Sequence, residues 1–203
     1  MPESAKKSFV FSFLLGLLLV TGCTSSAKMR QICVTGAWAD SRVDTVINIA
    51  WKFNEADVAN AQQPGFDDTS WSTIDLPHTW NALDGEDGGT YYRGIGWYRK
   101  HCTIGSENSG KRVYLFFESV GTTADVYCNG VSIGHHDGAY AAFCFDITDA
   151  VIFGADNVIA VKANNSSPFV FAPLSGDFTQ WGGICRSVHL LITNPVHITP
   201  LDY

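Results

Sequence analysis

Short stretches in which apolar and polar residues alternate recur through the second half of the chain. They are rich in β-branched and aromatic residues and are separated by turn-forming residues, as half-buried β-strands are. Helical periodicity of apolar residues never persists for three turns. We therefore expect an all-β fold, most economically an antiparallel sandwich of two sheets. The stretches cover residues 96–104, 112–118, 123–133, 141–147, 157–163 and 187–192.

Turn residues and two further stretches add to this topology. Asn129 and Gly130 lie between two alternating stretches and are the preferred pair for a type I′ hairpin turn, in which both residues need φ > 0. Residues 43–53 predict the strand that enters the domain, and residues 71–80 predict an edge strand followed by a loop. Residues 81–94, which are rich in glycine and acids, predict an exposed loop.

The N-terminal segment is typical of an export signal. Lys6 and Lys7 precede an apolar run at 9–20, which is too short to span a hydrocarbon core of about 30 Å. Small residues precede Cys23, as in bacterial lipoproteins. We therefore expect residues 1–22 to be a signal peptide and residues 23–44 a lipidated cysteine with its tether. The protein would be anchored by lipid in the periplasm or at the cell surface. An ordinary signal peptide with a chance cysteine is the alternative.

Composition and charge narrow the class of protein. Hydrophobic residues make up 46% of the chain and charged residues 16%, a composition that supports a packed core. A length of 203 residues accommodates one ordinary domain and leaves no room for a second, catalytic domain. The net charge of −7, without a Lys/Arg run longer than a pair, argues against nucleic acid as a partner. Five further cysteines have no metal-binding or redox spacing and fit small apolar core residues. They are Cys33, Cys102, Cys128, Cys144 and Cys185.

Six motifs in order resemble the sugar-binding domain of glycoside hydrolase family 2, which includes β-galactosidases and β-glucuronidases. The resemblance implies a jelly-roll-like β-sandwich over residues 45–195. It also implies that 196–203 begin a truncated immunoglobulin-like domain, and that the two catalytic glutamates lie in a downstream (β/α)₈ barrel absent from this chain. The motifs are Trp71 with LPHTWN (76–81), GIGWYR (94–99), DVYCNG (125–130), FCFDIT (143–148), NVIAVK (157–162) and GGICRSV (182–188).

The same resemblance implies which residues meet the sugar. Asp177 matches a loop aspartate that reaches the barrel's active site, where it would accept hydrogen bonds from sugar hydroxyls or ligate a sodium ion. An aspartate that caps its own turn is the alternative. Asn81 is the second substrate-binding residue, and His78 and Trp181 would contact substrate or support the loop. Phe178 and Trp181 could stack on sugar or wedge the loop against the barrel.

Other polar residues have structural interpretations that we favour over chemical ones. Retaining glycosidases need two carboxyl groups about 5 Å apart, and neither Glu55 nor Glu118 offers such a pair, so we expect no catalytic residue in this chain. His135 and His136 are adjacent on a predicted strand and so face opposite sides, which disfavours a metal site. We expect ion pairs at three arginines: Arg93, Arg99 and Arg186.

Two functions of different class remain open at this point. The first is the N-terminal sugar-binding domain of a glycosidase that acts on O-glycosyl compounds such as β-galactosides, inactive by itself. Its partners would be a β-glycoside or oligosaccharide, the catalytic barrel and the membrane; it would need no cofactor beyond a sodium or magnesium ion in the full-length enzyme, which could oligomerise. The alternative is an autonomous carbohydrate-binding or adhesin module, or a nonfunctional fragment.

Overall fold

The computed structural model describes residues 32–34, 42–84, 91–166 and 180–201. Within these residues no helix is long and apolar enough to cross a membrane. Two short 3₁₀ helices lie at Ser106–Asn108 and Thr148–Ala150. The strands of the described part are β1 (Ile32–Val34), β2 (Arg42–Val46), β3 (Trp51–Asn54), β4 (Ser72–Ile74), β5 (Ile95–Ile104), β6 (Arg112–Phe117), β7 (Thr123–Cys128), β8 (Val131–Asp137), β9 (Phe143–Asp146), β10 (Asp156–Asn164) and β11 (Val188–Thr193).

These strands form two sheets, which confirms the predicted β-sandwich. The larger sheet has the order β4-β3-β5-β10-β7-β8, and β1 pairs with β5 in parallel. The smaller sheet has the order β2-β11-β6-β9, and its neighbours are antiparallel. Each of the six stretches predicted in the second half overlaps one of these strands, and the 123–133 stretch overlaps the β7–β8 hairpin.

The core lies between the inner faces of the two sheets. Strand alternation places every second side chain there, for example Val113, Leu115 and Phe117 of β6, which are 0% exposed. Each fully buried aliphatic or aromatic side chain contributes about 1.5–3 kcal/mol. The cysteines expected to act as small apolar core residues follow the same rule, because Cys102 and Cys128 are buried. Burial raises the pKa of Cys128 to about 12, so its thiol stays protonated.

The structure confirms the predicted hairpin and corrects the entering strand. Asn129 and Gly130 have φ of 51° and 82°, as a type I′ turn requires. The predicted 43–53 strand is instead two strands in different sheets, β2 and β3. Between them Ala50 has a φ of 57°, and its N–H donates to Asp75 Oδ1 at 2.7 Å. The chain therefore crosses between sheets within a stretch that contains neither glycine nor proline.

Residues 194–201 follow the last strand along the smaller sheet. Tyr114 Oη lies 2.8 Å from His197 Nε2, and Arg42 donates to the carbonyl of Ile198 at 2.7 Å. No strand occurs in this described stretch after β11. That 196–203 begin a further domain stays a prediction.

A buried arginine fastens a long loop to the outer face of the larger sheet. Arg99 on β5 is 0% exposed, and its Nε donates to Asp68 Oδ2 at 2.8 Å. Its other nitrogens donate to the carbonyls of Ala61, Gln63 and Phe66. Burial raises the pKa of Asp68, but hydrogen bonds from Arg99 and His101 outweigh it, so the pKa lies below its ordinary value. The ion pair predicted for Arg99 is confirmed.

Replacement of this arginine tests how much the loop depends on it. We expect Arg99→Gln to lower the free energy of unfolding by about 3–5 kcal/mol, because it removes the cationic partner of the buried Asp68 carboxylate and the donors to three carbonyls. Urea unfolding followed by tryptophan fluorescence measures the change. Arg112→Gln is the matched control, since the Arg112–Asp146 pair is largely exposed and its loss should change stability little. Equal effects of the two substitutions would contradict the assignment.

Candidate functional site

A cleft of about 390 Å³ opens at one end of the sandwich. Four connecting segments form it: the loop after β4, the β6–β7 and β8–β9 connections, and the segment before β11. Its lining is mainly apolar and aromatic, with a few polar groups, which is the usual composition of a ligand cleft. The lining residues are Pro77, His78, Thr79, Ser119, Ala139, Tyr140, Trp181, Cys185 and Arg186.

Two glycines allow the segment before β11 to pass behind the cleft. A Cβ on Gly182 would lie 2.0 Å from the Trp80 ring, and one on Gly183 would lie 2.4 Å from Tyr98 Oη. Gly183 also has a φ of +115°, which side chains rarely adopt. Its backbone pairs with Gly121 through hydrogen bonds of 2.8 and 3.1 Å. The glycines of the GGICR motif therefore serve close backbone packing.

His78 is a half-buried imidazole with one ring nitrogen engaged by the domain. Its Nδ1 lies 2.8 Å from the hydroxyl of Tyr98. Burial lowers the pKa of His78, so the ring is neutral at neutral pH, and burial raises the pKa of Tyr98. With Nδ1 engaged by Tyr98, Nε2 is the ring nitrogen that is left for a ligand.

The exposed members of the cleft lining include two aromatic side chains and one cation. Trp181 is 41% exposed and Tyr140 is 71% exposed. Arg186 is also exposed, which corrects the expectation of a buried ion pair. Arg93 has no ion pair among the described residues either; its guanidinium lies over the Tyr91 ring at 4.7 Å.

Asn81 lies behind the cleft, 1% exposed, and all four hydrogen-bonding positions of its amide are used. Its Nδ2 donates to Asp84 Oδ2 at 2.6 Å and to the carbonyl of Tyr92 at 2.8 Å. Its Oδ1 accepts from Asn165 Nδ2 at 3.1 Å and from the N–H of Gly182 at 2.8 Å. In this conformation no amide atom of Asn81 is left for a sugar. The prediction of an exposed loop over residues 81–94 is therefore wrong at Asn81.

Asn165, which is 0% exposed, completes this arrangement. Its Oδ1 accepts from the N–H of Gly94 at 2.8 Å, and its Nδ2 also donates to the carbonyl of Gln180 at 3.2 Å. The two amides, called the Asn81–Asn165 clamp below, thus hold residues on both sides of 167–179. Sequence reasoning missed Asn165, which directly follows β10 and belongs to none of the six motifs. Its position after a buried strand is the only signal in the sequence for its buried role.

Asp177 and Phe178 lie outside the described residues. The described residues nearest to them that the clamp holds are Asn165 and Gln180. The structure thus brings Asn81, His78 and Trp181 to one end of the sandwich. The roles predicted for these residues and for Asp177 stay predictions.

The side chains considered above for catalysis or metal binding, Glu118 and His135, make structural contacts. Glu118 accepts from the N–H of Ser187 at 3.3 Å and lies 3.5 Å from His189. His135 lies between Asp125 and Asp137, at 2.7 and 3.0 Å. These hydrogen bonds raise the pKa of His135.

The neighbouring histidine faces the other way, as predicted. His136 stacks on Phe143 with 4.0 Å between ring centroids. Among the described residues no group of three or more His, Cys, Asp or Glu side chains is arranged to hold a metal ion.

Comparison with known proteins agrees with this architecture. Residues 33–195 match the family described as glycosyl hydrolases family 2, sugar binding domain. A β-glucuronidase of Bacteroides fragilis is 47% identical over 163 residues, which are 80% of this chain and 22% of the relative. A β-galactosidase of Bacteroides ovatus is 33% identical over 175 residues, covering 82% of this chain and 20% of the relative.

Solved structures give the same result. A β-glucuronidase of Bacteroides uniformis matches with a TM-score of 0.70 at 39% identity, over 75% of this chain and 18% of that one. This chain therefore spans about a fifth of the length of the relatives it matches.

Removal of one amide tests the clamp. We expect Asn165→Ala to cost about 1–3 kcal/mol in the free energy of unfolding, because the buried N–H of Gly94 loses its acceptor. Hydrogen exchange should accelerate at the Gly94 and Gly182 amides. Asn164→Ala is the matched control, since the Asn164 side chain accepts a solvent-exposed hydrogen bond from the N–H of Ser166. Unchanged exchange at both glycines in Asn165→Ala would show that the clamp does not hold these segments.

Proposed function

Because this chain belongs to glycosyl hydrolase family 2 through its sugar-binding domain, we propose that it is the non-catalytic N-terminal part of a larger β-glycosidase. The parent protein would hydrolyse terminal β-glucuronides, β-galactosides or related glycosides. The observation that carries the proposal is the Asn81–Asn165 clamp, which holds both sides of the stretch containing Asp177. A loop held in this way can complete a sugar pocket formed mainly by a partner domain.

Each predicted residue has a role in this proposal. Asp177 accepts hydrogen bonds from the hydroxyls of the terminal sugar, or ligates a sodium or magnesium ion beside it. Asn81 acts by positioning the segments around it, in agreement with its satisfied amide. His78 offers Nε2 for a hydrogen bond, and Trp181 offers an aromatic face. Bond cleavage belongs to the two glutamates of the downstream barrel.

The exposed aromatics favour a second candidate, an autonomous carbohydrate-binding module. Trp181 and Tyr140 flank a preformed cleft, and aromatic faces stack on the C–H side of sugar rings. Such a module would bind glycans without the barrel. The two candidates agree on a ligand class and differ in whether hydrolysis follows.

Activity measurements separate them. We expect the 203-residue chain to release no nitrophenol from nitrophenyl β-D-glucuronide or β-D-galactoside, whereas the protein encoded by the complete gene hydrolyses one of them. In that protein Asp177→Ala should lower kcat/KM about 10- to 100-fold, as loss of a charged hydrogen bond does. Asp149→Ala, at an exposed acid of the Thr148–Ala150 helix, is the control. Hydrolysis by the chain alone, or full activity of Asp177→Ala, would contradict the proposal.

We also propose that the protein is exported and lipid-anchored through Cys23. The basic residues, the apolar run and the small residues before this cysteine support the proposal. Attachment at Cys23 would place the sandwich close to a membrane surface, in the periplasm or outside the cell.

Metabolic labelling tests the anchor. Cells that express the chain should incorporate an alkyne-tagged fatty acid into it, and Cys23→Ala should abolish the label. Cys144→Ala should keep it, because that cysteine lies in strand β9 of the folded domain. An unlabelled wild-type chain, or a label that survives Cys23→Ala, would exclude lipidation at this position.

A further inference from the structure

The first described strand joins the sandwich at the end opposite the cleft. Strand β1 pairs with the last residues of β5, Thr103 and Ile104. The other end of β5 begins at Ile95, next to Gly94, whose N–H is held by the clamp behind the cleft. At about 3.3 Å per residue, the two ends of β5 are about 30 Å apart. The position of β1 is therefore a full strand length away from the cleft.

Strand β2 begins at the same end. Its first residue, Arg42, lies opposite Thr193 on β11, and Thr193 lies opposite Arg112, the first residue of β6. The short connection from Ile104 to Arg112 places the start of β6 where β5 finishes. From there β6 runs towards Ser119, which lines the cleft. Both N-terminal strands thus start at the end of the sandwich that lies away from the cleft.

The C-terminal segment takes the opposite direction. After β11, residues 194–201 run back along the smaller sheet. His197 Nε2 lies 2.8 Å from Tyr114 Oη, and Leu201 lines a small pocket together with Phe116, which is two residues nearer the cleft on β6. The described chain therefore comes in at one end of the sandwich and turns back towards the other.

From these directions we propose that the end of the sandwich opposite the cleft faces the membrane and that the cleft opens away from it. The inference rests on the proposed lipid anchor at Cys23 and goes beyond it by naming the surface that the bilayer meets. Cys23 lies nine positions before Ile32, so the anchor lies at most about 32 Å from β1.

The length of this connection favours one orientation. A flexible chain of nine residues spans about 15–18 Å on average. Such a span brings the lipid to the end where β1 lies without any extension of the chain. To bring the lipid level with the cleft, the same nine residues would have to run back, almost fully extended, along the whole length of β5.

The membrane-facing surface, called the tether end below, is built from short connections. The N–H of Gly154 donates to the carbonyl of Ile104 at 2.7 Å and so joins one connection to the end of β5. Two aliphatic side chains are exposed here: Val131 is 53% exposed and Ile152 is 56% exposed. They can contact the bilayer interface, whereas the covalent lipid supplies the affinity. The tether end comprises Ser106–Asn108, the Asn129–Gly130 turn with Val131, and residues 150–155.

This orientation keeps the membrane and the catalytic partner apart. In the proposed larger glycosidase the barrel meets the cleft, so a bilayer at that end would compete for the same surface. With the tether end towards the bilayer, the cleft lies roughly 45 Å from the lipid on average. Glycans then reach the cleft from solution and not as short headgroups of lipids in the same membrane.

Paramagnetic relaxation measured by NMR tests the orientation. The lipidated chain is reconstituted into nanodiscs that carry a gadolinium chelate on some lipid headgroups, and the broadening of backbone amide signals is compared. We expect the amides of Gly130 and Ile152 to be broadened about tenfold or more relative to those of Tyr140 and Trp181. The reason is that this relaxation falls with the sixth power of distance and the two ends lie about 30 Å apart. Cys23→Ala, which lacks the lipid, should show no broadening at either end.

A longer connection tests whether the anchor sets the orientation. Insertion of a 27-residue Gly-Ser segment after Ser26 makes the mean span of the connection about twice as long. Broadening at Gly130 and Ile152 should then fall, while the fold stays the same. If the broadening does not fall, the short connection does not hold the tether end at the membrane, which contradicts the inference.

The remaining outcomes separate this inference from the proposals on which it rests. Stronger broadening at Tyr140 and Trp181, or equal broadening at both ends, would overturn the orientation and leave the lipid anchor in place. A chain that carries no lipid would overturn the anchor and the orientation together. Neither result bears on the proposed glycosidase, which the nitrophenyl glycosides test independently.

Discussion

The hydrogen bond between the buried amides of Asn81 and Asn165 is the interaction on which the functional end of this sandwich depends. A buried amide is costly unless each donor and acceptor finds a partner. Here the partners come from the loop after β4, from residues 92–94, from the end of β10 and from residues 180–182. Satisfying one amide therefore fixes where several segments lie. An apolar contact of the same area would stabilise these segments without specifying their positions.

The glycine pair before β11 adds a steric constraint to this polar one. Gly182 and Gly183 lie against Trp80 and Tyr98 so closely that a side chain at either position would displace them. The residues that make the sequence motifs distinctive are thus largely packing residues, and the hydroxyl of Tyr98 links this packing to the cleft, since it lies 2.8 Å from Nδ1 of His78. Few of the motif side chains remain exposed, and of these Pro77 and Arg186 line the cleft.

Much of the fold could be predicted from the sequence because strand alternation and the Asn129–Gly130 turn are local signals. The crossing at Ala50 could not, since no glycine or proline marks it and only the pairing partners reveal that β2 and β3 belong to different sheets. The buried role of Asn81 and the existence of the clamp also escaped prediction. Their partners are up to 101 residues apart in the chain, and glycine-rich, polar stretches look the same in sequence whether their ends are buried or exposed.

Two arginines of this domain lie in opposite environments. Arg99 is enclosed by Asp68 and three carbonyls, so its charge serves only to hold a loop. Arg186 stands exposed in a cleft whose walls are already fixed by the clamp and by the glycine pair. Because those walls are held by contacts within the domain, the cleft does not need a ligand to form, and little binding free energy is lost to ordering it. A preformed, weakly charged cleft is therefore suited to contribute orientation and selectivity to a pocket whose remaining contacts come from another domain.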